Sequence, residues 1–153
     1  MRCALRVAIA ATVTASSFVL APPAHAGHRV GQERQMQAIT AVRAAKAQRG
    51  TPYRRSGAKR GGFDCSGLTS WAYRQAGMRI PRVARDQYRK YKKIKRWHLR
   101  PGDLVFFHHL GHVGMWVGRG RFVHSPHTGD HVRVARLKGW YRRSYVGAVR
   151  PTA

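Results

Sequence analysis

The 153-residue chain is poor in cysteine, in acid and in long apolar runs. Its two cysteines, Cys3 and Cys65, exclude a framework of several disulfides. Five Asp and Glu against thirty Lys and Arg leave a formal charge of +25, which excludes an acidic, cation-collecting surface. No apolar run reaches the roughly 20 residues that a membrane span needs. The first 26 residues, "MRCALRVAIAATVTASSFVLAPPAHA", do have the layout of an export signal. Arg2 and Arg6 form a positive start, Val7 to Leu20 is mostly apolar, and Ala24-His25-Ala26 offers a small-x-small cleavage pattern. The expectation is a signal peptide at 1–26 and a secreted chain beginning near Gly27, with a retained N-terminal anchor as the alternative.

Cleavage there would remove Cys3 and leave Cys65 alone. One thiol cannot form a disulfide within its own chain, so it bridges two chains, lies inert in the core, or reacts. About 127 residues would remain, enough for one domain with one core. Losing Arg2 and Arg6 lowers the charge only to +23. Such a surface attracts polyanions and repels copies of itself, which favours a monomer.

Residues 27–31 read as a short flexible lead and 32–153 as the domain. Gln32 to Gln48 has helical spacing, stopped by Gly50-Thr51-Pro52. Tyr53 to Gly62 reads as a basic loop. Asp64 is a favoured N-cap, and a helix is expected from about 65 to 76 with Gly77 as its stop. A basic helix is expected from Val83 to about Ile94. Beyond Pro101-Gly102, "DLVFF", "HVGMWVG", "RFVHS", "HVRVARL" and "SYVGAVR" read as short strands. Helices followed by about five strands predict an α+β domain with a C-terminal antiparallel sheet.

Cysteine attacks a carbonyl as the thiolate, and a free thiol has a pKa of about 8.5. A helix N-terminus and a neighbouring imidazole both raise the thiolate fraction, and Cys65 directly follows the expected cap. Seven of the nine histidines lie between His98 and His131. The hairpin "HVGMWVGRGRFVHS" narrows the choice. A three-residue loop at Gly118-Arg119-Gly120 would pair Val117 with Arg121 and set His124 opposite Gly114, diagonal to His112 on one face. A two-residue loop would put the two imidazoles on opposite faces. In the first register His112 can act as base while His124 orients it, with Gly114 leaving room between them.

"GTPYRRSG", "GGFDCSGLTSWAYRQAG", "IPRVARDQY", "LRPGDLVFF", "HVGMWVGRGRFVHSP" and "YVGAVR" together, in this order, resemble the NlpC/P60 family of papain-like cysteine peptidases. The resemblance runs from about Gln35 to Arg150. It implies a papain-like fold and cleavage of peptidoglycan stem peptides, at the bond from the D-glutamate γ-carboxyl to the diamino acid. It implies Cys65 as nucleophile, His112 as base and His124 as third polar residue, with Tyr53 and the Cys65 N–H as the oxyanion hole. Asp64 and Ser66 match positions that contact the amine end of the stem. Where the family has an aromatic and two glycines after the tyrosine, this chain has Arg54-Arg55-Ser56-Gly57, a cationic rim suited to acidic stems. The segment between Phe107 and His112 is also short.

Other readings stand beside this one. A non-catalytic cationic wall-binding protein on the same fold would explain the charge. A related amidase or acyltransferase would share the triad. "HHLGH" invites a metal, but adjacent His108 and His109 would diverge on a strand, so no metal or cofactor is assigned. The run "RKYKKIKRWH" mixes bases with aromatics. It reads as contact with anionic wall polymers or as a solubilising face, ahead of nucleic acid, for which no specific motif is present.

Overall fold

The computed structural model describes residues 25–153, so the expected leader, including Cys3, lies outside the described residues but for its last two. Helix α1, His25–Ala47, starts earlier than expected and takes in 27–31. Helix extension costs little once a packed segment has nucleated it, so Gly27 and Gly31 do not halt it. Its C-terminal half buries Ala38, Ala41, Val42 and Ala45. A small hairpin follows, β1 at Ala58–Lys59 and β2 at Gly62–Phe63, where the sequence reads as a loop as far as Gly62.

Helix α2, Cys65–Gln75, forms as the sequence indicates. Asp64 has extended backbone and its carboxylate accepts from the Gly67 N–H at 2.6 Å. At the other end Gly77 is left-handed (φ +76°), and Gly77 and Met78 donate to the Arg74 and Tyr73 carbonyls. Leu68 and Ala72 are fully buried. Gly67 has a further duty, because a Cβ there would meet the Gly57 carbonyl oxygen at 1.9 Å. The loop before the helix therefore lies directly on its first turn.

The expected helix from Val83 to Ile94 is shorter. Helix α3 covers Ala84–Lys90, and Tyr91 is extended. Lys92–Lys93 then forms strand β3, pairing with Arg150 and Val149. The free edge of the last strand captures those residues, and tertiary pairing overrides helix propensity.

The sheet holds six strands in the order β3-β8-β4-β5-β6-β7, all pairs antiparallel, one more than expected because β3 joins it. Its members are β4 Leu104–Phe107, β5 His112–Gly118, β6 Arg121–His124, β7 Arg133–Arg136 and β8 Tyr145–Arg150. A short helix α4, Trp140–Arg143, precedes β8. All four residues of β4 are buried because the sheet is covered on both faces. Leu104, Phe106, Met115 and Val123 share a core with α1 and α2. Val105, Phe107, Trp116 and Phe122 form a second core with Leu99, Leu137, Tyr141 and Tyr145.

Buried polar links lock the layers together. Gln87, wholly buried, donates to the Ser66 and Pro81 carbonyls and accepts from Thr69. Ser125 donates to the Phe63 carbonyl at 2.7 Å, tying the residue after His124 to the residue before Asp64.

Gly67→Ala is expected to lower stability by about 3 kcal/mol, because both colliding groups are held in place. Ser70→Ala on the same helix is expected to cost under about 1 kcal/mol. Urea unfolding of the two variants checks this, and equal midpoints would contradict the close approach.

Candidate active site

Tyr53, Arg55, Asp64, Cys65, Ser66 and Arg85 lie on one open cleft of about 600 Å³ at the start of α2. Cys65 opens the helix and is partly buried. The N–H groups of Val113, Ser66 and Cys65 itself face the sulfur. Val113 directly follows His112, so the thiol lies against the main chain of β5 one residue past that histidine.

The two imidazoles meet, with His112 Nε2 2.9 Å from His124 Nδ1. Their contact depends on a register reached by an unexpected route. Met115 pairs with Val123 and Trp116 with Phe122, as the three-residue loop would require. Yet Gly118 pairs with Arg121, leaving a two-residue turn at Arg119-Gly120 with positive φ at both positions. The register shift at Val117 absorbs the difference. A two-residue turn alone would have put the histidines on opposite faces, and the bulge restores them to one.

Gly114 does not serve as a gap between the histidines. A Cβ there would strike the Phe122 ring at 2.4 Å, so the glycine makes room for that ring. Phe122 packs at 4.9 Å between centroids against His124 and at 5.0 Å against Phe107. Tyr141 crosses His124 edge-on, and its hydroxyl lies 3.4 Å from His124 Nε2.

Burial sets the charge state. It pushes the Cys65 thiol up, the Asp64 charge adds to the rise, and the three N–H groups only partly oppose it. Burial also lowers His112 to about 4, with His127 contributing, and lowers His124 to about 3, helped by His112, Arg133 and His127. Burial thus outweighs the donors around the sulfur, and the thiol is harder to ionise than a free one. At neutral pH the thiol and both imidazoles are uncharged.

Asp64 and Ser66 are already engaged. Arg82 grips both Asp64 oxygens, at 2.9 and 2.6 Å, and donates to the Ser66 hydroxyl at 3.1 Å. It also donates to the Gly57 carbonyl at 3.3 Å. The segment "IPRVARDQY" contributes to the family resemblance, which assigns Arg82 no part. An arginine directly after a proline, ahead of a helix, was the available signal. Tyr141 and Ser125 were missed as well, and neither stands in a pattern of its own.

Tyr53 donates its N–H to the Asp130 carbonyl at 2.8 Å, and burial raises its phenol, with the Cys65 and Asp64 charges adding to the rise. His108, His109 and Leu110 all have positive φ, so the short segment before His112 is a left-handed turn rather than strand. Leu110 and Gly111 wall one side of the cleft. Among the described residues, no three His, Cys, Asp or Glu side chains gather as a metal ion requires.

A helix-borne thiol set against an antiparallel sheet that carries two joined imidazoles is the arrangement of the papain-like class of fold. Within that class the chain belongs to the NlpC/P60 family, whose pattern it matches over residues 50–150. It is 45% identical over 113 residues to murein DD-endopeptidase MepH of Escherichia coli, covering 67% of this chain and 42% of that protein. It is 38% identical over 108 residues to the gamma-D-glutamyl-L-lysine dipeptidyl-peptidase of Bacillus cereus, covering 66% and 32%. The crystal structure of an NlpC/P60 family protein from Bacillus cereus superposes with a TM-score of 0.73 at 35% identity, covering 76% of this chain and 40% of that one. The chain thus spans less than half the length of these relatives.

The lowered imidazoles make a signed prediction. Both have folded pKa values below their ordinary 6.5, so the unfolded chain takes up protons first as pH falls. Their contribution to stability is complete above about pH 6.5 and is lost as pH falls towards 4 and then 3. Melting temperature measured from pH 7.5 to 4.5 should fall more steeply for the natural chain than for His124→Asn. Parallel slopes would show that burial does not hold His124 neutral.

Proposed function

We propose that the chain is a secreted cysteine endopeptidase acting on amide bonds in peptidoglycan stem peptides. One observation carries this reading: the Cys65 thiol rests against the N–H of Val113, the residue after His112, and His112 Nε2 is held by His124 at 2.9 Å.

The His112–His124 contact supports one path for the proton. His112 Nε2 is committed to His124, so Nδ1 is the nitrogen that receives the thiol proton. Nε2 then carries hydrogen and donates to His124 Nδ1, and His124 in turn donates from Nε2 towards the Tyr141 hydroxyl. Substrate entry displaces water, the proton moves from sulfur to His112, and sulfur attacks the amide carbonyl. The oxyanion meets the Cys65 N–H and the Tyr53 hydroxyl. His112 returns the proton to the leaving amine, giving a thioester at Cys65. A water molecule, deprotonated by His112, hydrolyses it and restores the thiol.

The bond proposed is that between the D-glutamate γ-carboxyl and the diamino acid, which agrees with the name of the Bacillus cereus relative. A second reading has its own support, since MepH, at 45% identity, is named a DD-endopeptidase. Arg55, Arg85 and Arg89 all line the cleft, and none takes part in an ion pair among the described residues. Asp64 is neutralised by Arg82, leaving Asp86 to oppose those three guanidinium groups. The cleft therefore favours stem segments that keep free carboxylates.

Incubated with purified cell wall, Cys65→Ala should release peptide fragments at least about 10³-fold more slowly than the natural chain. Equal release would leave a non-catalytic wall-binding protein. Fragment masses separate the two bonds, and also an amidase. On a soluble stem peptide, Arg55→Gln combined with Arg89→Gln should raise KM about tenfold when the carboxylates are free. The same variant should leave KM unchanged on the amidated peptide, and an equal rise on both would remove the charge argument.

A further inference from the structure

The segment "KKIKRWHLR", Lys92 to Arg100, builds a second groove of about 630 Å³ that the chemistry above does not use. It lies along the outer edge of β3 and continues past it. Ile94 donates to the Ala148 carbonyl, Arg96–His98 makes one 3-10 turn, and Leu99 tucks against the second core. Lys92, Lys95, Trp97, Leu99 and Arg100 are on its walls together with Arg150, and no carboxylate is. The nearby Asp103 is spent on the Arg150 guanidinium and the Arg100 N–H. Lys93 also lines it, with its ammonium over the Tyr88 ring at 4.0 Å. Lys92, Lys95 and Arg100 enter no ion pair among the described residues.

Trp97 is 73% exposed, more than any other large apolar side chain among the described residues. The Lys95 ammonium lies 5.5 Å from its ring centroid. Edge strands commonly carry lysines to block pairing with another chain, and that accounts for Lys92 and Lys93. It does not account for Lys95, Trp97 and Arg100, which lie beyond the paired residues. A bare indole at a sheet edge would invite association rather than prevent it. Unpaired cations flanking an exposed aromatic face suit a ligand with regularly spaced anions joined by apolar C–H surface.

We propose that this groove binds an anionic wall polymer, a polyol or sugar chain linked by phosphodiesters, with the phosphates on Lys92, Lys95 and Arg100 and the carbon backbone against Trp97. The choice of a wall polymer over a nucleic acid rests on the peptidoglycan reading of the catalytic cleft. The topology keeps the two sites apart. β3 is three strands from β5, and along β4 the residue level with β3 and β8 is Leu104, whereas Phe107 pairs with His112. At normal strand spacing and rise the separation is about 15–20 Å. One wall fragment can thus be held at the groove while a stem peptide occupies the cleft, which raises the local substrate concentration.

Binding is tested with the full chain bearing Cys65→Ala, so that its outcome is independent of cleavage. The probe is poly(glycerol phosphate) of about ten repeats in 0.15 M salt, followed by calorimetry. Lys92→Gln, Lys95→Gln and Arg100→Gln together should weaken binding at least about tenfold, and Trp97→Ala about fivefold. Arg121→Gln, Arg136→Gln and Lys138→Gln, which remove the same charge at the opposite edge, should change it less than about twofold. Equal loss in both triple variants would overturn the site in favour of net charge alone. Preference for a single-stranded oligonucleotide of equal phosphate number, lost in the groove variants, would replace the polymer with nucleic acid. Equal binding of an uncharged chitooligosaccharide would also overturn the assignment.

Discussion

The carboxylate of Asp64 is the constraint on which the site is built. One oxygen caps α2 through Gly67 and both are held by Arg82, which also reaches Ser66 and the Gly57 carbonyl. The Asp64 N–H itself donates to Gly57 at 3.0 Å. A single side chain thereby fixes where the helix begins, how closely the preceding loop lies on it, and where the chain before α3 passes. The position of the Cys65 sulfur follows, because the first residue of a helix has no freedom once its cap is set. The ion pair is partly exposed, with Arg82 at 39% and Asp64 at 15%, so its value is positional more than energetic.

The sheet supplies the opposite wall by different means. Aromatic packing holds the imidazoles in place. Phe107 and Phe122 support the His112–His124 pair, Gly114 admits the Phe122 ring, and Tyr141 closes the far side. The Ser125–Phe63 hydrogen bond then ties this wall to the helix wall within two residues of both His124 and Asp64. The two halves of the site are therefore referenced to each other by short backbone segments, which keeps small motions of the loops from changing their separation.

Much of this was legible in the sequence. The cap at Asp64, the stop at Gly77 and the five main strands follow from local chemistry, and the pairing of Met115 with Val123 follows from the hairpin. What escaped was decided by distant contacts. Lys92 and Lys93 carry no strand signal, and they pair only because β8 presents an open edge. The correct histidine register was reached by the wrong turn, since a bulge at Val117 has no signature beyond the neighbouring glycine. Arg82 and Tyr141 act through partners 18 and 17 residues away, which spacing rules do not reach. Burial of the thiol and the imidazoles has no local signature either, because dipole arguments can be made from sequence whereas burial cannot.

The burial that raises the Cys65 thiol has a consequence for its reactivity towards oxidants. Peroxide and similar oxidants attack the sulfur anion far faster than the protonated form, and beyond sulfenic acid the damage is permanent. A thiol kept protonated by burial is shielded from that chemistry. The burial that slows ionisation of Cys65 therefore also slows its loss to oxidation.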